Sequence, residues 1–137
     1  MLSKKTRYAI MALTKLAREK ALGHEFTFIA DVAESEMIPK RFLENILQEL
    51  KKLGYVNSRL GKSGGYCLIV DANDITLSDV FRAFEGPIAM MPCVSEKSYQ
   101  PCEFCKDEQS CKIRKTFKEI RDTSYEILKR TTIASLM

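Results

Sequence analysis

The chain has 137 residues, 45% hydrophobic and 29% charged, the balance of one globular domain rather than a disordered chain. With 22 Lys+Arg against 18 Asp+Glu it carries a net charge of +4, and no apolar run approaches the roughly 18 residues that a membrane span needs. There is no secretory h-region at the N-terminus, and the cysteines are odd in number and mostly clustered, so a cytoplasmic protein whose thiols bind something is expected rather than a secreted disulfide scaffold.

Tyr8, Met11, Ala12, Leu16 and Ala17 recur at helical spacing and Gly23 closes the pattern, which predicts a first helix over residues 4–22. Thr27 is placed to cap a short second helix carrying Ile29, Val32 and Ala33, with Met37 and Ile38 in the turn that follows. Pro39 suits the first turn of a third helix, where its missing N–H costs nothing. That helix has the cleanest pattern in the chain. Phe42, Leu43, Ile46, Leu47, Leu50 and Leu53 form its apolar face, with Lys40, Arg41, Glu44, Asn45, Gln48 and Lys52 opposite. Gly54 stops it.

Residues 55–59 and 66–70 are β-type runs on either side of Leu60-Gly61-Lys62-Ser63-Gly64-Gly65, a hairpin with a basic, Gly-rich tip. Thr76 caps a fourth helix with Leu77, Val80, Phe81 and Phe84 inward, ended by Gly86-Pro87. Residues 87–110 are irregular, and from Cys111 a long last helix is expected nearly to the end. Ile113, Phe117, Ile120, Ser124, Ile127, Thr131 and Ala134 approach a heptad seam along it. The expected fold class is mainly α with a small β-hairpin wing.

Charge is uneven: residues 1–70 are net +5 and residues 71–137 net −1, which points one face toward a polyanion. Three helices followed by a basic hairpin is the order of a winged helix-turn-helix. The B-form major groove is about 12 Å wide and admits one helix, and a helix buried on one face offers the other to base edges. Lys40 and Arg41 sit in the first turn, where phosphates or guanine edges would lie. Asn45 and Gln48 suit adenine, and Glu44 suits a cytosine amino group. Gly64 and Gly65 let the hairpin tip approach a backbone, while Arg59 and Lys62 supply charge. The Gly-Lys-Ser-Gly-Gly run lacks P-loop spacing and precedes a strand, not a helix, which excludes a nucleotide phosphate loop. The rival class is a metal-binding interaction module that recognises protein and not DNA. No Ser-His-Asp or Cys-His set supports an enzyme.

Cys93, Cys102, Cys105 and Cys111 form C-x8-C-x2-C-x5-C within one irregular segment. Thiolates suit an iron–sulfur cluster of the 2Fe-2S or 4Fe-4S type or a tetrahedral zinc, and a pair such as Cys102 and Cys105 suits a redox-switch disulfide. Cys67, in a β-type run, is a small buried apolar residue, and His24 is an exposed loop residue.

These residues together resemble the Rrf-two family of winged-helix transcription regulators, whose members include iron–sulfur, nitric-oxide and cysteine-metabolism regulators. The resemblance rests on Lys5-Thr6-Arg7-Tyr8-Ala9-Ile10, on Ile38-Pro39-Lys40-Arg41-Phe42-Leu43-Glu44-Asn45-Ile46-Leu47, on Gly61-Lys62-Ser63-Gly64-Gly65-Tyr66, on Ile75-Thr76-Leu77-Ser78-Asp79-Val80 and on Glu85-Gly86. It implies a winged helix-turn-helix over residues 1–86, a cysteine-rich sensor loop over 87–110 and a dimerisation helix over 111–137. It implies a homodimer on a pseudo-palindromic double-stranded DNA operator, with Lys5, Arg7, Lys40, Arg41, Glu44, Asn45, Gln48, Arg59, Lys62, Ser63, Gly64 and Gly65 at the DNA. Cys105 and Cys111 match the last two cysteines of the family's cluster-binding members, with Phe117 where an aromatic follows. Cys93 matches the first across a longer gap, and Cys102 is an extra thiol that completes a set of four. The family's histidine ligand falls at Arg114 and its helix-one aspartate ligand at Arg7, neither of which ligates a metal. Leu60 stands where the wing arginine precedes glycine, with Arg59 one place earlier.

Overall fold

The computed structural model describes residues 2–62 and 64–137. Its element order is α1 (Lys4–Ala21), α2 (Ile29–Glu36), α3 (Lys40–Lys52), β1 (Val56–Arg59), β2 (Gly65–Leu68), α4 (Leu77–Phe84) and α5 (Lys112–Arg130). The strands form one antiparallel hairpin in the register Val56 to Leu68 and Arg59 to Gly65. This is the expected mainly α chain with a winged helix-turn-helix and a long C-terminal helix.

Local chemistry sets the ends. The Ser3 hydroxyl accepts from the Thr6 N–H at 3.2 Å and starts α1. Thr76 and Asp79 form a reciprocal capping box on α4, a device worth about 1 kcal/mol. Gly54 and Gly86 follow α3 and α4 with φ of 85° and 90°, the left-handed conformation that closes a helix at least cost in glycine.

α1 is the centre of the core and packs against α2, α3, α4 and β2. Ala9, Ala12, Leu13 and Leu16 of α1 meet Val32 of α2, Leu43, Ile46, Leu47 and Leu50 of α3, and Val56, Leu68 and Val80. Burying each large aliphatic side chain contributes about 1.5–3 kcal/mol. Cys67 is buried, as expected for a small apolar side chain. Glu85, just past α4, accepts from the Ser3 N–H at 2.7 Å and the Thr6 hydroxyl at 2.6 Å, tying the start of α1 to the end of α4.

Three expectations are corrected. Thr27 does not cap α2; Phe28 holds the cap position with no side-chain hydrogen bond. The Thr27 N–H donates to the Tyr66 carbonyl at 2.9 Å and its own carbonyl accepts from Tyr66 at 2.8 Å, so this backbone extends the wing instead. The apolar stripe of α3 is narrower than its sequence, because Phe42 is 62% exposed and Leu53 also faces outward. Finally, α5 ends at Arg130, which takes Thr131 and Ala134 off the expected seam. The β-branched run Thr131-Thr132-Ile133 favours extended backbone. It bridges Thr76, and its fully buried Ile133 donates to the Ile75 carbonyl at 2.9 Å.

Candidate nucleic-acid interface and cysteine segment

α3 is the helix that the core positions and leaves open. Its inner face is fixed by Leu43, Ile46, Leu47 and Leu50, while Lys40, Arg41, Asn45 and Gln48 are exposed and Glu44 is half-buried. Pro39 at the N-cap brings no side-chain hydrogen bond, so the first turn keeps free N–H donors beside two cations, an arrangement that favours an anion. Among the described residues Arg7, Lys40, Arg41 and Lys62 make no ion pair.

Lys5 does not stand free. Its Nζ lies 2.6 Å from Glu49 of α3 and 5.6 Å from the centre of the Phe84 ring. An open groove between α1 and α3 is lined by Lys4, Tyr8, Phe42, Asn45 and Lys52. Phe42 therefore belongs to this surface and not to the core. The clue in the sequence is that Leu43, Ile46, Leu47 and Leu50 alone already make a full stripe.

The wing follows, with β1 packed on α3. The Arg59 guanidinium lies 4.0 Å from the centre of the Phe26 ring, which holds the arginine against the loop before α2. The Gly64 N–H donates to Gly61 at 3.0 Å and closes the tip. Gly65 has φ of 117°, and a Cβ there would overlap the Thr27 carbonyl, as one on Gly64 would overlap the Arg59 carbonyl. The need for these two glycines is thus met inside the chain, by close backbone packing. Ser63 lies outside the described residues.

In the cysteine segment, Cys93 is buried in a single 3-10 turn, Pro92–Val94, packed on α5. Arg121 of α5 donates to the Val94 carbonyl at 2.6 Å and lies 3.6 Å from Glu96. Cys102 and Cys105 share a turn in which the Cys105 N–H donates to the Cys102 carbonyl at 3.1 Å. Cys111 is the N-cap of α5, and its sulfur accepts from the Arg114 N–H at 3.4 Å. Burial pushes the Cys105 thiol up, and so do the charges of Cys111, Glu108 and Cys102. The Tyr99 hydroxyl donates to Glu108 in the same segment.

All four thiols are free, like Cys67. Among the described residues no three His, Cys, Asp or Glu side chains converge closely enough to hold a metal ion, so the expected four-thiol set is assembled only in part. Its donor chemistry suits a soft metal centre. The Nε of Arg114, in the first turn of α5, is buried with no hydrogen-bond partner. His24 is exposed and bonds Glu19 at 2.7 Å.

α5 rests on α4 and on the Pro92–Val94 turn, and none of its residues is buried. Ile113, Ile120 and Ile127 stand one heptad apart and are 63%, 40% and 46% exposed. A groove lined by Phe81, Ile88, Met90 and Leu128 runs beside the last two. No helix among the described residues is long and apolar enough to cross a membrane.

The family model Rrf2, described as an iron-dependent transcriptional regulator, matches residues 2–137. The chain is 44% identical over 121 residues to a putative rrf2-like helix-turn-helix transcriptional regulator of Rhodobacter capsulatus, covering 88% of this chain and 81% of that one. It is 31% identical to the helix-turn-helix transcriptional regulator CymR of Bacillus subtilis over 98% of this chain and 88% of that one. The solved structure of CymR, the global cysteine regulator of B. subtilis, superposes with a TM-score of 0.81 at 28% identity, covering 99% of this chain and 95% of that one. The chain belongs to the Rrf2 family of DNA-binding transcriptional regulators and is not an enzyme.

Proposed function

We propose that the chain is a cytoplasmic, sequence-specific repressor that binds a pseudo-palindromic operator as a homodimer and senses redox, nitric-oxide or iron–sulfur status through its cysteine segment. Residues 1–86 form the DNA-binding unit, 87–110 the sensor loop and 111–137 the dimer-forming end. The observation that carries the DNA reading is the exposed polar face of α3, with Arg41, Asn45 and Gln48 on a helix whose other face is locked in the core. Arg41, Glu44, Asn45 and Gln48 read bases, while Arg7, Lys40, Arg59 and Lys62 hold phosphates, and Lys5 joins them by exchanging Glu49 for a phosphate. Two copies of α3 then fall on half-sites about one helical turn apart.

Cys93, Cys102, Cys105 and Cys111 would hold the sensing group. When bound, an iron–sulfur cluster supplies a centre that reacts with oxidants and nitric oxide. The chain's own part is mechanical: Cys93 sits in the turn that Arg121 ties to α5, and Cys111 caps the same helix, so the thiol arrangement is coupled to how α5 is held. The iron-dependent description of the matched family favours iron over zinc. A thiol switch is the second reading, supported by the shared turn of Cys102 and Cys105.

The test is a mobility shift on DNA upstream of the chain's own gene, alongside anaerobic purification with iron analysis and absorption spectra. Salt-dependent binding by a coloured, iron-containing protein is expected. Equal binding to operator and random DNA refutes specific recognition, and a colourless protein with stoichiometric zinc refutes the cluster.

A further inference from the structure

We propose that Phe42 is a base-reading residue of α3, its ring packed on the C5-methyl group of an operator thymine. This rests on the reading that α3 lies in the major groove.

A single exposed apolar side chain calls for no explanation. Phe42 is more than that. It is 62% exposed in the first turn of α3, and it lines the same open groove as Asn45 and Gln48 of α3 and Tyr8 of α1. The fold does not need it there, because Leu43, Ile46, Leu47 and Leu50 are each no more than 1% exposed and already seat the helix.

Charge identifies what enters the groove. Lys4, Lys5 and Lys52 line it against one carboxylate, Glu49, so it suits an anion and not an apolar peptide or a second copy of the same basic face. A DNA duplex joins an anionic backbone to an apolar feature on one base. In the major groove thymine presents its C5-methyl, and phenylalanine is a side chain that contacts it. Spacing agrees. Phe42 and Asn45 are three residues apart on the helix, which puts their Cβ atoms about 5–6 Å from each other, or one to two base-pair steps of about 3.4 Å. Asn45 carries the amide that pairs with adenine, so Phe42 reads a thymine within two base pairs of it.

The test uses the full chain and its Phe42→Ala and Phe42→Gln variants on an operator duplex that the wild-type chain selects from random DNA, with circular dichroism to confirm folding. Thymines are replaced by deoxyuridine one symmetric pair at a time, which removes the methyl and keeps the hydrogen-bonding edge. Burying one methyl is worth about fourfold in affinity. The dimer makes the contact twice, so wild type is expected to lose about 15-fold at one such pair. Phe42→Ala binds the thymine and deoxyuridine forms of that pair within about twofold of each other, and its affinity for random DNA stays near wild type because the phosphate contacts remain. If Phe42→Ala does not fold, Phe42→Gln decides by the same comparison. A wild type indifferent to every deoxyuridine pair overturns the proposal, and so does a folded variant that loses as much as wild type at the sensitive pair. A selection that returns no preferred sequence refutes the major-groove reading itself and this role with it.

Discussion

Ile127→Ala measures the proposed dimer face. Ile120 and Ile127 are 40% and 46% exposed on a helix with no buried residue. Fully burying an isoleucine side chain is worth about 1.5–3 kcal/mol, so covering the part still open contributes about 1 kcal/mol for each residue. In a two-fold dimer every side chain counts twice. Ile127→Ala removes most of that contribution on both protomers, about 2 kcal/mol, which is roughly a 30-fold rise in the dimer dissociation constant. The monomer fold is little affected, because Ile127 lies outside the core cluster. Sedimentation equilibrium over a concentration series reads the constant, and thermal melts confirm the fold. A constant within about threefold of wild type refutes α5 as the interface.

Gly65→Ala forces a side chain into a φ of 117° and against the Thr27 carbonyl. It is expected to cost about 1–3 kcal/mol, read as a lower denaturant midpoint, and an unchanged midpoint contradicts the tight packing. Glu85 is held at about 2 by the Ser3 side chain, then Thr6 and the Ser3 N–H; its folded value lies below its ordinary 4.5, so its stabilisation is complete above that value and is lost as pH falls toward 2. The drop in melting temperature over that window should be smaller in Glu85→Gln than in wild type, and equal drops refute the clamp. Lys40→Ala removes one phosphate contact from each protomer and should reduce the slope of log affinity against log salt by about 1.8 per dimer, with similar losses on operator and random DNA. Glu44→Ala should change operator preference more than non-specific affinity, and equal losses on both DNAs would remove its base-reading role.

What was legible in the sequence was local. Thr76, Gly54 and Gly86 act within one turn of the helix ends they set, so their chemistry could be assigned without a fold, whereas the return bond to Asp79 that completes the Thr76 cap came with the structure. The α3 stripe was legible but overdrawn, since Phe42 and Leu53 are apolar yet lie at its edges and find no core to enter. Thr27 has the composition of a cap, but its backbone is claimed by Tyr66, a partner far along the chain. Distance in sequence also hid the Lys5–Glu49 pair, the Glu85 clamp and the Phe26 platform under Arg59. The cationic surface was legible because charge needs no partner to be counted. Whether a given charge is free depends on helix packing, and Lys5 is the case where it is not. The cysteine spacing marked the segment, but that Cys111 caps α5 while Cys93 is buried in a separate turn is visible only in the fold.

The ends of α5 are held differently, and this suggests how a change at the thiols reaches DNA. At its far end the chain returns to the DNA-binding half: the Leu77 N–H donates to Thr131 at 2.8 Å, the Ile133 N–H to Ile75 at 2.9 Å, and Ile133 is fully buried. At its near end Cys111 is the cap, and the preceding segment has a single 3-10 turn for regular structure. One end is therefore pinned by core packing, and the other, on the proposed reading, would be set by the group that the cysteines bind. A helix of 19 residues is about 28 Å long, so a displacement of about 2 Å at Cys111 tilts it by roughly 4° about the pinned end. If α5 is the dimer seam, the two-fold axis doubles that tilt between protomers, and the two copies of α3 move together relative to half-sites fixed on the duplex. A small rearrangement of thiols is then sufficient to separate a dimer that fits its operator from one that does not, with no change in the recognition helix itself.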